Sequence, residues 1–241
     1  MIIGATSAMA EEAAKLYASE KANLYLLARN EERLSLIKND LMVRGASAVY
    51  THPFDANDFE SHKALMEEAF TTLGKVDVVL VAHGSLPIQE ECNADSLKTI
   101  TEMNTNGVSV VSILTHIANL MELQKSGNIT VITSVAGDRG RQSNYVYGAA
   151  KGMVSTFLQG LSQRLSKSGV HVLDIKPGFV DTPMTVEFDK GALWAKPEKV
   201  AEIIKKRIEK KSNFSYAPAF WFFIMTIIKS VPRTIFDKVK L

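Results

Sequence analysis

Asp77-Val78-Val79-Leu80-Val81-Ala82 is an apolar run in which apolar and polar residues do not alternate. A strand with one wet face alternates, whereas a strand covered on both faces does not. This run therefore predicts a strand at the centre of a parallel sheet. Outward from it, short β-branched runs alternate with longer helical stretches. Before it, strands are predicted at 1–3, 23–28 and 48–52, and helices at 11–20, 31–44 and about 59–72. After it come a long helix at about 96–123, a strand at 128–133, a helix at 145–167, a strand at 170–175, a charged helix at 197–211 and a last strand at 213–217.

Regular β-α alternation predicts one Rossmann-like, doubly wound α/β domain. Its central parallel sheet has about seven strands, with helices on both faces. Right-handed crossovers put the strand C-termini, and with them a ligand crevice, on one edge. Residues 1–212 form the expected nucleotide-binding and catalytic unit, and 213–241 an apolar, basic extension packed on the domain, on a partner subunit or on a membrane surface.

Composition narrows the function. With 241 residues, 46% hydrophobic and 22% charged, the chain is long enough for a full core and too apolar for disorder. The single cysteine, Cys92, excludes an internal disulfide framework and makes a reducing, cytoplasmic setting the expectation. The 5 histidines show no metal-ligand spacing. A net charge of +2 gives no strong field for nucleic acid, which is not an expected partner. The charge is unevenly spread: residues 190–241 hold 12 Lys and Arg against 4 Asp and Glu, and residues 1–189 hold 16 against 22. The most apolar stretch, 216–228, is too short to cross a bilayer, which takes roughly 20 residues. Ala8-Met9-Ala10 mimics a signal-peptidase site, but no basic segment precedes it and a signal peptide is rejected.

Gly4-Ala5-Thr6-Ser7-Ala8-Met9-Ala10 joins the first strand to the first helix. Such a turn aims backbone N–H groups and a helix N-terminus at an anion. Gly4 permits the turn, and Thr6 and Ser7 offer hydroxyls to phosphate oxygens. The dinucleotide fingerprint wants glycine where Ala8 and Ala10 stand, so the same residues also read as a plain turn with Ser7 as N-cap. At the end of the second strand, an acid would bond the ribose 2′-OH of NAD. Ala28 stands there instead, followed by Arg29, whose guanidinium suits a 2′-phosphate. NADP is the expected cofactor and NAD the less favoured one; the plainer reading of Arg29 is a solvated residue at a helix start. Asp55 is placed to accept the adenine amino group or to cap a helix.

Tyr147-Gly148-Ala149-Ala150-Lys151 sets a phenol and an ammonium one helical turn apart. The cation is expected to lower the tyrosine pKa from about 10 towards working pH. A phenol so tuned exchanges a proton with a carbonyl or alcohol oxygen. Ser134, at the end of a predicted strand, stands where its hydroxyl can hold the substrate oxygen. Tyr145 is a decoy, because the residue four later is Ala149.

Taken together, Gly4-x-x-x-Ala8-x-Ala10, Asp55, Asn104, Ser134, Tyr147, Lys151 and Pro177-Gly178-x-Val180-x-Thr182 resemble a short-chain dehydrogenase/reductase over almost the whole chain. The resemblance implies an NAD(P)-dependent oxidoreductase acting on a ketone/secondary alcohol pair. In it, Ser134 would orient the carbonyl, Tyr147 would be the acid/base, and Lys151 would also hold the nicotinamide ribose. Asn104 would keep a helix open for a water in a proton relay to Lys151. The turn from Gly4 through Thr6, Ser7, Ala8 and Met9, with Arg29, Asp55 and Gly84, would line the cofactor. Pro177, Gly178, Val180 and Thr182 would line the nicotinamide. The family's Asn-Asn-Ala-Gly reads Val81-Ala82-His83-Gly84, a departure; His83 either packs or faces the cofactor. Val231-Pro232-Arg233-Thr234-Ile235-Phe236 and Gly4-Ala5-Thr6-Ser7 are most similar to the decaprenylphosphoryl-2-keto-pentose reductase branch, which implies a keto-sugar substrate, lipid-linked or free. The rival reading is a non-catalytic dinucleotide-binding sensor or partner subunit.

Ala217 to Ile228 carries an aromatic cluster, followed by Lys229, Arg233, Lys238 and Lys240. This suits peripheral contact with an anionic membrane, at the inner face in a cytoplasmic protein. The same segment would equally cover the substrate cleft or join subunits of a homo-oligomer. Arg139 and Arg141 would meet a phosphate on a sugar carrier or be solvated.

Overall fold

The computed structural model describes residues 1–239. In chain order the elements are β1 (Ile2–Ile3), α1 (Ala8–Ser19), β2 (Asn23–Ala28), α2 (Glu31–Val43), β3 (Ala48–Pro53), α3 (His62–Leu73) and β4 (Val78–Val81). Next come α4 (Gln89–Ala94), α5 (Ser96–Met103), a π-helical turn (Asn104–Val108), α6 (Ser109–Gln124), β5 (Gly127–Ile132), a 3-10 turn (Val135–Asp138) and α7 (Tyr145–Leu165). The chain closes with β6 (Val170–Pro177), α8 (Pro197–Glu209), β7 (Phe214–Ala217), α9 (Trp221–Ser230) and α10 (Arg233–Phe236).

The seven strands form one parallel sheet in the order β3-β2-β1-β4-β5-β6-β7. β1 lies between β2 and β4, so the strand order reverses there and a crevice opens beyond the strand C-termini. Successive residues of a strand face opposite sides of a sheet. Accordingly Ile3, Tyr25, Leu27, Val79 and Val81 join one buried layer with α3, α6 and α7. Ile2, Leu24, Leu26 and Leu80 join the other, with α1, α2 and α8. Both faces are covered, which is why the run at 77–82 shows no alternation.

Two helical details differ from the expectation. α4 was not anticipated, and the helix expected at 96–123 is interrupted. From Asn104 the backbone takes a π turn, with the Ser109 N–H bonded to the Asn104 carbonyl. The segment expected as an extension begins inside the sheet, since β7 pairs with β6, and only then leaves it as α9. Among the described residues no helix is long and apolar enough to cross a membrane.

Candidate active site

The crevice at the β1/β4 switch is a cleft lined by the turn after β1, the ends of β2 and β3, and the turn after β4. Gly4, Thr6, Ser7, Ala8 and Met9 all line it, as do Arg29, Asp55, Gly84 and Thr182. Gly4 has φ +80°, and a β-carbon there would stand 2.4 Å from the His83 backbone nitrogen. Only glycine lets the turn after β1 lie this close to the turn after β4. Ser7 occupies the N-cap position of α1, yet its side chain makes no capping bond. Its hydroxyl and the first N–H groups of α1, which have no intrahelical acceptor, together offer donors to an anion. The donors present fit a diphosphate, and the two alanines do not fill the turn.

Arg29 is exposed at the far end of the cleft, and Asn30 rather than Arg29 caps α2. One Asp55 oxygen accepts from the Asn57 N–H at 2.9 Å, which fixes the carboxylate without making it the cap of a helix. His83 lines the cleft and packs edge-on to Phe54. Ser109 spends its own proton on the Thr105 carbonyl, so His83 Nε2 donates to Ser109 Oγ at 2.9 Å. Burial first, and the nearby Lys151 charge second, hold the His83 pKa down at about 3, so the imidazole is neutral.

The reacting groups sit beside this cleft, on α7 and on the 3-10 turn that follows β5. Gly137, Gly148 and Gly152 let the two segments touch: a β-carbon on Gly148 would stand 2.7 Å from the Ala136 carbonyl oxygen, and one on Gly137 2.7 Å from the Gly152 nitrogen. Beneath them, Asp138 accepts from Lys176 and from the Tyr216 hydroxyl, each at 2.5 Å, which ties the turn to β6 and β7. Ser134 Oγ accepts from the Ala136 N–H at 3.0 Å and hydrogen-bonds the Tyr147 phenol. A hydroxyl keeps a proton and a second lone pair after accepting one N–H, so Ser134 remains able to bond both the phenol and a substrate oxygen.

The electrostatics correct one expectation. Lys151 Nζ lies 5.6 Å from the Tyr147 ring centre, as the spacing predicted, but the phenol pKa is pushed up to about 12. Burial raises it, and the Ser134 bond opposes that only in part. Lys151, 4% exposed, is itself lowered by burial to about 8, against the attraction of Asp174. Desolvation outweighs a cation that is itself desolvated. The Tyr147 phenol therefore keeps its proton through the neutral range.

The helix opens at Asn104, as the resemblance implied, and, two residues on, Asn106 packs against the loop after β4. A β-carbon on Gly84 would stand 2.7 Å from Asn106 Oδ1 and 3.4 Å from Lys151 Nζ. Fully buried, Asn106 accepts from the Ser85 N–H at 3.0 Å and donates to Ser85 Oγ and the Glu102 carbonyl. The π turn adds a residue to the helical repeat, which changes the side chain that meets the loop after β4.

Of the run expected along the nicotinamide, only Thr182 reaches the cleft. Pro177 ends β6, and Val180 is buried in the core. Gly178 lies under Trp221, the first residue of α9; a β-carbon there would meet the indole at 1.8 Å. Tyr145 stays outside the site, donating to Asn93. Arg139 is neither solvated nor free for a phosphate. It donates to the carbonyls of Ile228 at 2.5 Å and Val231 at 2.7 Å, and lies 3.7 Å over the Phe236 ring, so it closes the C-terminus of α9. Arg141 is partly buried, which lowers its pKa. Among the described residues no cluster of His, Cys, Asp or Glu could hold a metal.

A dinucleotide crevice at a sheet reversal, beside a Ser134–Tyr147 bond and a buried lysine one turn on, is the arrangement of an NAD(P)-dependent oxidoreductase. Residues 1–192 match the family model described as short chain dehydrogenase. The chain belongs to that family. It is 32% identical to an uncharacterized oxidoreductase of Mycobacterium tuberculosis, over 99% of this chain and 95% of that protein. It is 30% identical to one of Streptomyces coelicolor, over 99% of this chain and 94% of that protein. A Staphylococcus aureus uncharacterized oxidoreductase is 29% identical, over 88% and 91%.

Proposed function

We propose that the protein is an NADP(H)-dependent reductase that converts a ketone to a secondary alcohol, with a keto-sugar, free or lipid-linked, as the substrate class. The observation that carries this reading is geometric: the Tyr147 phenol stands beside Ser134, with Lys151 one helical turn later and 5.6 Å from the phenol ring centre. The nicotinamide, when bound, supplies hydride to the carbonyl carbon. Ser134 donates its proton to the substrate oxygen and holds it. Tyr147 gives that oxygen its proton, and Lys151 stabilises the phenolate left behind and returns a proton to it.

The cationic form of Lys151 is present below a pKa of about 8. The kcat/KM for reduction is therefore level at neutral pH and declines as pH rises through about 8, approaching tenfold per pH unit. A pH–rate profile checks this, and a profile still level at pH 9 would remove Lys151 from the relay.

Arg29 supports the choice of NADP(H): it is exposed on the cleft wall at the end of β2, with no acid at Ala28. Arg29→Asp should raise the KM for NADPH about tenfold or more and lower that for NADH. Paired initial rates with the two cofactors against a panel of keto-sugars test both the preference and the substrate class. An unchanged ratio would assign Arg29 to solvent.

A further inference from the structure

α9 buries only one side. Trp221 and Met225 pack inward, while Phe223 and Ile227 are each 69% exposed and Phe222 is 51% exposed. Before it in the chain, a groove of about 380 Å³ runs between α8 and the end of β7, walled by Lys199, Lys206, Arg207 and Lys210, with Tyr216 and Ala219 on the far side. Its single carboxylate, Glu202, is taken by Lys199. Among the described residues Lys206, Arg207 and Lys210 have no carboxylate partner within 4.0 Å. Lys229 continues the positive border at the other end of α9, where Arg233 is paired with Asp237, while Lys240 lies outside the described residues.

We infer that this face docks on a membrane leaflet containing anionic phospholipid, with headgroup phosphates in the α8–β7 groove and Phe222, Phe223 and Ile227 among the acyl chains. Charge decides the occupant. A second copy of the chain placed symmetrically on this face would bring its own Lys206, Arg207 and Lys210 towards the same cations, so self-pairing is opposed. An anionic surface meets both halves of the patch: apolar burial for α9 and charge neutralisation for α8. Trp221 fixes the attitude of α9, because its indole lies on Gly178 and stacks edge-on to Phe179.

Flotation of the full chain with vesicles, combined with light scattering after gel filtration, tests this docking independently of the reductase reading. The chain should float with vesicles containing about one-third phosphatidylglycerol, stay down with phosphatidylcholine alone, and be released by salt. Each cation removed near such a surface lowers partitioning about fivefold, so Lys206→Gln/Lys210→Gln should lose about 25-fold. Phe223→Ser/Ile227→Ser should also abolish flotation. Both double variants keep the wild-type rate on a water-soluble ketone, since none of these residues touches the cleft. Failure of the wild-type chain to float with anionic vesicles overturns the proposal. So does flotation that is indifferent to lipid charge, or a wild-type oligomer that Phe223→Ser/Ile227→Ser dissociates.

Discussion

Tyr147→Phe should lower the ketone-reduction rate about a thousandfold while leaving NADPH affinity within about twofold, because it deletes one hydroxyl and nothing else. The ring keeps its place on α7, and Gly148 and Gly152 keep their contacts with the turn at 136–137. The loss is therefore chemical and not structural. Ser134 retains its bond from the Ala136 N–H, so the carbonyl can still be held, but no acid meets its oxygen. A thousandfold is the ordinary size of a general-acid contribution. Single-turnover rates with saturating NADPH, and a fluorescence titration of the cofactor, separate the two effects. Residual activity near that of the parent would discard Tyr147 as the acid.

The second large effect is expected at Gly4→Ala. The position has φ +80°, and the new methyl would stand 2.4, 2.6 and 2.8 Å from three backbone atoms of Ala82 and His83. Backbone cannot rotate away as a side chain can. Either β1 and β4 part at the switch or the turn after β1 is displaced. A left-handed conformation costs an L-residue about 1–2 kcal/mol before any clash, and the crowding brings the expected loss to about 3 kcal/mol or more. In a domain of this size that is roughly 6–12 °C in Tm. Gly4 and His83 both line the cleft, so dinucleotide affinity should fall with stability, by tenfold or more. Thermal melts with and without NADPH check both. An unaltered Tm would mean that the turn has slack which the geometry denies.

Much of the fold was legible because the signals are local. β2 falls at Asn23–Ala28 as expected, and the run at 77–82 contains β4. α4 was missed because Gln89-Glu90-Glu91-Cys92-Asn93-Ala94 is six residues long, too short to show an apolar period. It matters nonetheless: Gln89 accepts the Val146 N–H and so caps the helix that carries Tyr147. Periodicity did not show the break at Asn104, which only the resemblance implied; the buried Asn106 just beyond it is bonded to Ser85, 21 residues earlier in the chain.

The site divides in the same way. Spacing alone determined that Tyr147 and Lys151 share a helix face, that Ser134 follows a strand on the same sheet edge, and that Gly4 begins an anion-binding turn. These are consequences of 3.6 residues per turn and of parallel strand direction, and need no knowledge of neighbours. Only the tertiary structure decided how acidic the phenol is, that Asn106 bonds the loop after β4, and that Arg139 closes α9. Each of these depends on how much water and which charges surround a group, and elements remote in sequence set both. Proximity is a property of the helix, but desolvation is a property of everything packed upon it.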